Sequence, residues 1–244
     1  MLKKETGVVL KSWKSGTSSK ILAVLGSESG KIKLSAKGAL KNESPFRGSL
    51  EPGSIIEAVY YFKEGREIYF LKEVSLLESI SAGTPSLHTL AAKLAALELM
   101  DQICYPGDPD PRIWDLIAAY IHQHEAADPL VLFLAFEVKL LGALGALPEF
   151  DTCAECGSPI RDGYYDPSSG MTYCPSDKIG SGELIPVTEQ ITNLLIQAER
   201  IPFPELARLE MNDRTRKTFG LLLHWTYTYH VQGYRLPNSL KLLK

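Results

Sequence analysis

No stretch of this chain approaches the roughly 18–20 uninterrupted apolar residues that a membrane-spanning helix requires. The opening residues, Met1-Leu2-Lys3-Lys4-Glu5, lack the apolar core of a signal peptide. Neither G-x-x-x-x-G-K-[ST] nor G-x-G-x-x-G occurs, so no backbone loop is provided to cradle nucleotide phosphates, which argues against ATP hydrolysis. Histidines are few, and their spacing excludes them as partners: His122 and His124 sit near a helix end, and His224 and His230 do not share a helical face. No nucleophile–base set or paired-carboxylate site is visible. With four cysteines in 244 residues the chain is no disulfide scaffold and suits a reducing compartment. These absences point to a cytoplasmic protein that is not an enzyme and meets no membrane.

Three of the cysteines are grouped. C-A-E-C at Cys153–Cys156 and Y-C-P-S-D ending at Asp177 give the pattern C-x2-C-x17-C-x2-D. Two tight turns at such spacing present four ligands, Cys153, Cys156, Cys174 and Asp177, to one tetrahedral ion, as in zinc ribbons. Aspartate oxygen is a harder and less selective zinc ligand than thiolate. Gly157-Ser158-Pro159 and Pro175-Ser176 supply the turns. The same turns are compatible with a degenerate knuckle held by Tyr164, Tyr165, Met171 and Tyr173 without metal. Cys104 ends an apolar helical pattern and reads as an ordinary buried thiol.

A net charge of −3 conceals a basic head. Residues 1–47 hold ten Lys or Arg against three Glu, while the remainder holds sixteen bases against twenty-six acids. Such asymmetry suits a segment that meets a polyanion, although small domains also scatter lysines over solvent faces. The head reads as short strands, Thr6–Trp13, Ile21–Leu25, Lys31–Ala36, Ser54–Phe62 and Glu67–Leu77, divided by glycine-rich turns. Five strands in about 80 residues predict a small β-barrel of the OB-fold kind, in which cations track phosphates and aromatic rings stack on bases. The candidate DNA-binding cations are Lys11, Lys14, Lys20, Lys31, Lys33, Lys37, Lys41 and Arg47. Trp13, Phe46, Tyr60, Tyr61, Phe62, Tyr69 and Phe70 are the rings, most of them expected inside the core with one or two free to stack.

Helical periodicity follows. Thr84-Pro85-Ser86 opens a helix with Leu90, Leu94, Leu97 and Ile103 on its apolar face. Asp110-Pro111 and Asp128-Pro129 each supply an N-cap and a first-turn proline, the second for an almost wholly apolar helix from Leu130 to about Leu147. Further helices are predicted over Pro186–Arg200 and Asp213–Val231, capped by Thr188 and by Asn212 or Asp213. Arg214, Arg216 and Lys217 open the last of them, against the helix dipole. The expected class is α+β: an N-terminal OB-fold β-barrel (1–80), a helical domain (81–150), an inserted zinc-ribbon-like Cys knuckle (151–185), and helices completing the bundle (186–244).

This order resembles the bacterial RecO family of recombination mediators. G-V-V-L at Gly7–Leu10, the block Ser35–Gly53, L-G-A-L-P-E-F-D-T-C-A-E-C-G at Leu144–Gly157, and Y-H-V-Q-G-Y-R-L-P-N-S-L at Tyr229–Leu240 carry the resemblance along the whole chain. Two departures stand out: Leu40, followed by Lys41, replaces an arginine, and Asp177 stands where many members have cysteine. The resemblance implies binding of single- and double-stranded DNA and annealing of complementary strands. It also implies work with RecR to load RecA onto strands covered by single-strand-binding protein, at the bacterial nucleoid. A structural zinc is implied too, though some members lack metal. Members take the acidic, apolar tail of single-strand-binding protein into a groove with a cation at its rim. Lys93, Arg112 and Lys139 are the only basic residues of 81–150 and so the candidates for that rim. Two alternatives remain open: an accessory OB/zinc-ribbon subunit of a nucleic-acid enzyme, and an adaptor whose barrel never meets nucleic acid.

Overall fold

The structure is a computed structural model that describes residues 1–83, 85–123, 126–177, 182–209 and 211–243. Thr84 and His124 lie outside the described residues. Among those described, no helix is long and apolar enough to cross a membrane.

Five strands, β1 (Leu2–Ser15), β2 (Ser19–Gly26), β3 (Gly30–Ala36), β4 (Ser54–Tyr61) and β5 (Ile68–Ser79), close a barrel in the order β1-β2-β3-β5-β4. All neighbours are antiparallel except β3 and β5, which run parallel. This is the OB fold. β1 is longer than the periodicity predicts because it serves two partners: its first half pairs with β4 and its second with β2. An irregularity between Val9 and Lys11 bends it from one to the other. The core is filled by alternate residues, among them Leu22, Val24, Ile32, Leu34, Ile56, Ala58, Tyr60 and Leu71, with Phe46 and Leu50 closing it from the β3–β4 connection. Each large apolar side chain so buried contributes roughly 1.5–3 kcal/mol, and closure leaves no sheet edge to pair with another chain. The one carboxylate drawn inside, Glu5, is satisfied by the Tyr60 hydroxyl and by the Glu28 and Ser29 backbone N–H groups.

Contacts divide the chain into two compact units, residues 1–124 with 237–244 and residues 125–236. The expected helical domain 81–150 is therefore split: α1 (Leu87–Ile103) and α2 (Pro111–Ile121) belong with the barrel. The reason is a set of ties too distant in sequence for periodicity to register. Lys31 pairs with Asp101 at 2.6 Å, and the Gly107 N–H donates to the Lys31 carbonyl. Gly30, at φ +64, lies so close to the Asp108 backbone that a Cβ there would collide with it. A C-terminal 3-10 turn (Asn238–Leu243) returns to α1, where the Glu98 carboxylate accepts from the Asn238 and Ser239 backbone N–H groups.

The second unit holds α3 (Pro129–Ala143), α4 (Glu189–Arg200), α5 (Phe203–Leu206), α6 (Asp213–His230) and a sheet of β6 (Gly163–Asp166), β7 (Met171–Tyr173) and β8 (Ile185–Val187) in the order β7-β6-β8. Asp128, Thr188 and Asn212 cap α3, α4 and α6 as the sequence predicts. α3 is buried nearly all round and packs on α4 and α6. It stops short of Leu147 because Gly145, at φ +67, closes a Schellman turn: its N–H donates to the Gly142 carbonyl and that of Ala146 to Leu141. Pro186, expected in the following helix, lies in β8 instead. There the chain is extended up to the Thr188 cap.

Candidate nucleic-acid interface and metal centre

Strand register decides which rings leave the core. Ladder partners place Leu2, Tyr61, Phe70, Ser35, Ile21 and Trp13 in one continuous line round the barrel. Leu22, Tyr60 and Leu71, the neighbours of Ile21, Tyr61 and Phe70 along their strands, are buried, so this line points out. Trp13, Tyr61 and Phe70 remain 36%, 52% and 38% exposed, whereas Phe46 and Tyr60 are core residues. The next line on that face is Lys11, Ala23, Lys33 and Ile68, of which Ala23 is covered. Beyond it Lys37 lies with its Nζ 4.5 Å from the Phe70 ring centroid. The face formed by β1, β2, β3 and β5 thus interleaves cations with exposed rings, the arrangement single strands need for phosphate tracking and base stacking.

The eight predicted cations are not equivalent. Lys11, Lys14, Lys37, Lys41 and Arg47 are exposed and Lys33 half-exposed. None of these six has a salt-bridge partner among the described residues. Lys31 is spent on Asp101 and Lys20 on Glu51, at 2.7 Å. A separate cavity of about 600 Å³ opens at the barrel mouth, lined by Lys3, Lys33, Arg66, Phe62 and Tyr69 among others. Arg66 escapes a reading based on charge density because it lies beyond the basic head, and Lys3, though counted in that head, is brought to the cavity only by the fold.

The cysteine cluster is assembled by the second unit. The Cys153 N–H donates to the Ser158 carbonyl and the Ile160 N–H to Asp151, closing the first knuckle. The Ala154 N–H donates to Thr172, fixing that knuckle on β7, immediately before Cys174. At the far turn Gly170, φ +70, lies against the Tyr229 ring where a Cβ would clash, seating the ribbon on α6. One ligand atom each from Cys153, Cys156, Cys174 and Asp177 lie within 4.8 Å of one another. The Cys156 and Cys174 sulfurs are 3.9 Å apart, close to the roughly 3.8 Å separating two sulfurs that share a tetrahedral zinc at about 2.3 Å. Backbone N–H groups of Cys156 and Cys174 bring the Cys153 thiol down to about 7, and thiol donation from Cys156 and Cys174 holds the Asp177 carboxyl below its ordinary range. The Cys156 thiol, by contrast, is held above its ordinary value by its donation to Asp177, a proton that a cation would have to displace. The residues fit a metal, and Cys104, whose thiol burial pushes up to about 11, is no part of the set.

Family models described as "Recombination protein O N terminal" and "Recombination protein O C terminal" match residues 1–80 and 85–240. This chain belongs to the RecO family. It is 32% identical over 187 residues to the DNA repair protein RecO of Anaeromyxobacter dehalogenans (strain 2CP-C), covering 75% of this chain and 74% of that protein. It is 25% identical over 240 residues to the DNA repair protein RecO of Exiguobacterium sibiricum, covering 98% and 95%.

For this RecO-family chain, burial removes one of the expected tail-binding cations and the other two have partners within the protein. Lys93 is only 3% exposed and its Nζ donates to the Ile121 carbonyl at 2.7 Å, closing the end of α2. Buried in that way it cannot meet a peptide. Arg112 is exposed but forked onto Asp110, its own helix cap. Lys139 donates to the Glu199 carbonyl and lies over the Phe203 ring. The counts of charge that singled these three out carry no information on burial. On α6, Arg216 is held by Asp128 and Asp213. Arg214 and Lys217 are exposed, one helical stripe with Leu221 and Trp225, which are 41% and 36% exposed.

Proposed function

We propose that this RecO-family protein acts without catalytic turnover, binding single- and double-stranded DNA through the outer barrel face and annealing complementary strands. The observation that carries this reading is the row of exposed Trp13 and Phe70 beside Lys11, Lys33 and Lys37. Cations that neutralise phosphates lower the repulsion between two strands, and rings give a sequence-tolerant platform. In the cytoplasm, on nucleoid DNA, the protein would work with RecR to load RecA where single-strand-binding protein covers the strand. Changing Lys11, Lys33 and Lys37 together to Ala is expected to flatten the slope of log affinity against log salt by about 0.7–0.9 per lost contact. Unchanged affinity and slope would remove DNA from this face.

The four-ligand cluster is assigned one structural zinc, which stabilises a ribbon too small to bury much apolar surface of its own. Elemental analysis after purification without chelators should give one zinc per chain. For the acidic, apolar tail of single-strand-binding protein, the α6 stripe of Arg214, Lys217, Leu221 and Trp225 is the better-placed receptor. Reversing Arg214 and Lys217 to Glu should weaken a tail peptide and leave duplex affinity unaltered.

A further inference from the structure

We propose that the mouth of the barrel is a capture site for one unstacked base of a single DNA strand, which makes the protein distinguish single strands from duplex. The proposal rests on the reading of the barrel as a DNA interface and adds a second element to it. The cavity of about 600 Å³ is bounded by the start of β1, by β3, by the β4–β5 turn and by the 106–109 loop, all within the first unit. Its aromatic wall is Phe62 and Tyr69, with ring centroids 5.1 Å apart, and Tyr69 rests in turn on the buried Tyr60 at 5.6 Å. That backing holds the two rings in place before any ligand arrives. Lys3 lies 4.3 Å from the Phe62 centroid, and with Lys33 and Arg66 it supplies the site's positive charge.

Three features choose the occupant. Glu28 and Glu67 also line the space, and their carboxylates repel a phosphate while accepting from the amino groups of a base. The cations Lys3, Lys33 and Arg66 are therefore left for the flanking phosphates. Finally, Lys33 lines the cavity and also stands in the outward row with Lys11, so a strand tracking the outer face reaches the mouth without leaving its cations. A paired base is held inside the duplex stack and cannot enter, whereas a base of a single strand only has to unstack.

The decisive measurement is binding of a single-stranded oligonucleotide carrying 2-aminopurine, and of a duplex of equal length, to the full chain. Phe62→Leu with Tyr69→Leu keeps apolar bulk and removes the rings. It is expected to weaken single-strand binding by roughly 5- to 150-fold, the span for loss of one stacked base. Duplex affinity and salt slope should stay as in the unaltered protein. Arg66→Ala, on an exposed turn where folding is not at stake, should lower the single-strand salt slope by about 0.7 and leave the duplex slope alone. Single-strand binding untouched by both variants, or single-strand and duplex binding falling in parallel, overturns the capture site. Lys11→Ala with Lys37→Ala separates the two ideas. If that variant weakens both DNA forms while the ring variant changes neither, the outer face stands and only the capture site falls; if it alters neither form, the outer face falls.

Discussion

Single residues of this chain are tuned by burial more than by neighbours. Glu137 on α3 is buried, and desolvation pushes its carboxyl from 4.5 up to about 8. Because the folded state binds this proton more tightly than the unfolded chain, its contribution to stability is complete below about 4.5. It is lost as pH rises towards about 8, at up to about 1.4 kcal/mol per pH unit. Glu137→Gln should therefore stabilise the protein at pH 8.5, and a melting series from pH 5 to 8.5 should run flatter than that of the unaltered chain. Lys93 presents the opposite chemistry, an amine whose burial lowers its pKa and whose donor closes the Ile121 carbonyl. Lys93→Glu sets an unpaired carboxylate against that carbonyl and should cost about 3–5 kcal/mol. Its effect should appear in denaturant unfolding, with DNA affinity of the folded protein unchanged.

Among elements, the ribbon is the one for which a structural zinc is proposed. Its three strands are short, of four, three and three residues, and of the four clustered residues Cys156 is exposed while Cys174 and Asp177 are half-buried. Cys153 is buried and receives the Cys174 N–H at 3.3 Å, so it anchors both knuckles. Cys153→Ser should release the metal and raise hydrogen exchange over 151–177, while Asp177→Cys should bind zinc more tightly in chelator competition because thiolate is the softer ligand. Equal chelator resistance in the Asp177→Cys variant would show that Asp177 does not ligate.

On the scale of the whole molecule, the first unit is completed only by the far end of the chain. Asn238 and Ser239 donate their N–H groups to Glu98, and Pro237 is buried. Removing residues 237–244 uncovers α1, and hydrogen exchange should quicken over residues 87–103 while α3 and α6 keep their protection. Quickening confined to α6 would contradict the assignment of this tail to the first unit.

Alternation and turn spacing in the sequence made the barrel's strands legible, though not its closure. Ile32, Leu34 and Ala36 set against Lys31, Lys33 and Ser35 commit β3 to one inward face, and that pattern is local. The helix starts were equally legible, because Asp110, Asp128, Thr188 and Asn212 act within three residues of themselves. The two cysteine turns were legible as well, because each is local, but their meeting depends on the β6–β7 hairpin that lies between them. What the tertiary structure alone decided is which charges and rings are free. Lys31 and Lys33 are indistinguishable in sequence, yet Asp101, seventy residues away, takes one, while the other has no salt-bridge partner among the described residues. Tyr60 and Tyr61 are adjacent, and the strand's pleat puts the first in the core and the second in solvent. Lys93 appeared available only because a count of charges is blind to the helix that covers it. Partner and burial are set by contacts between segments far apart in the chain, and no local pattern encodes those.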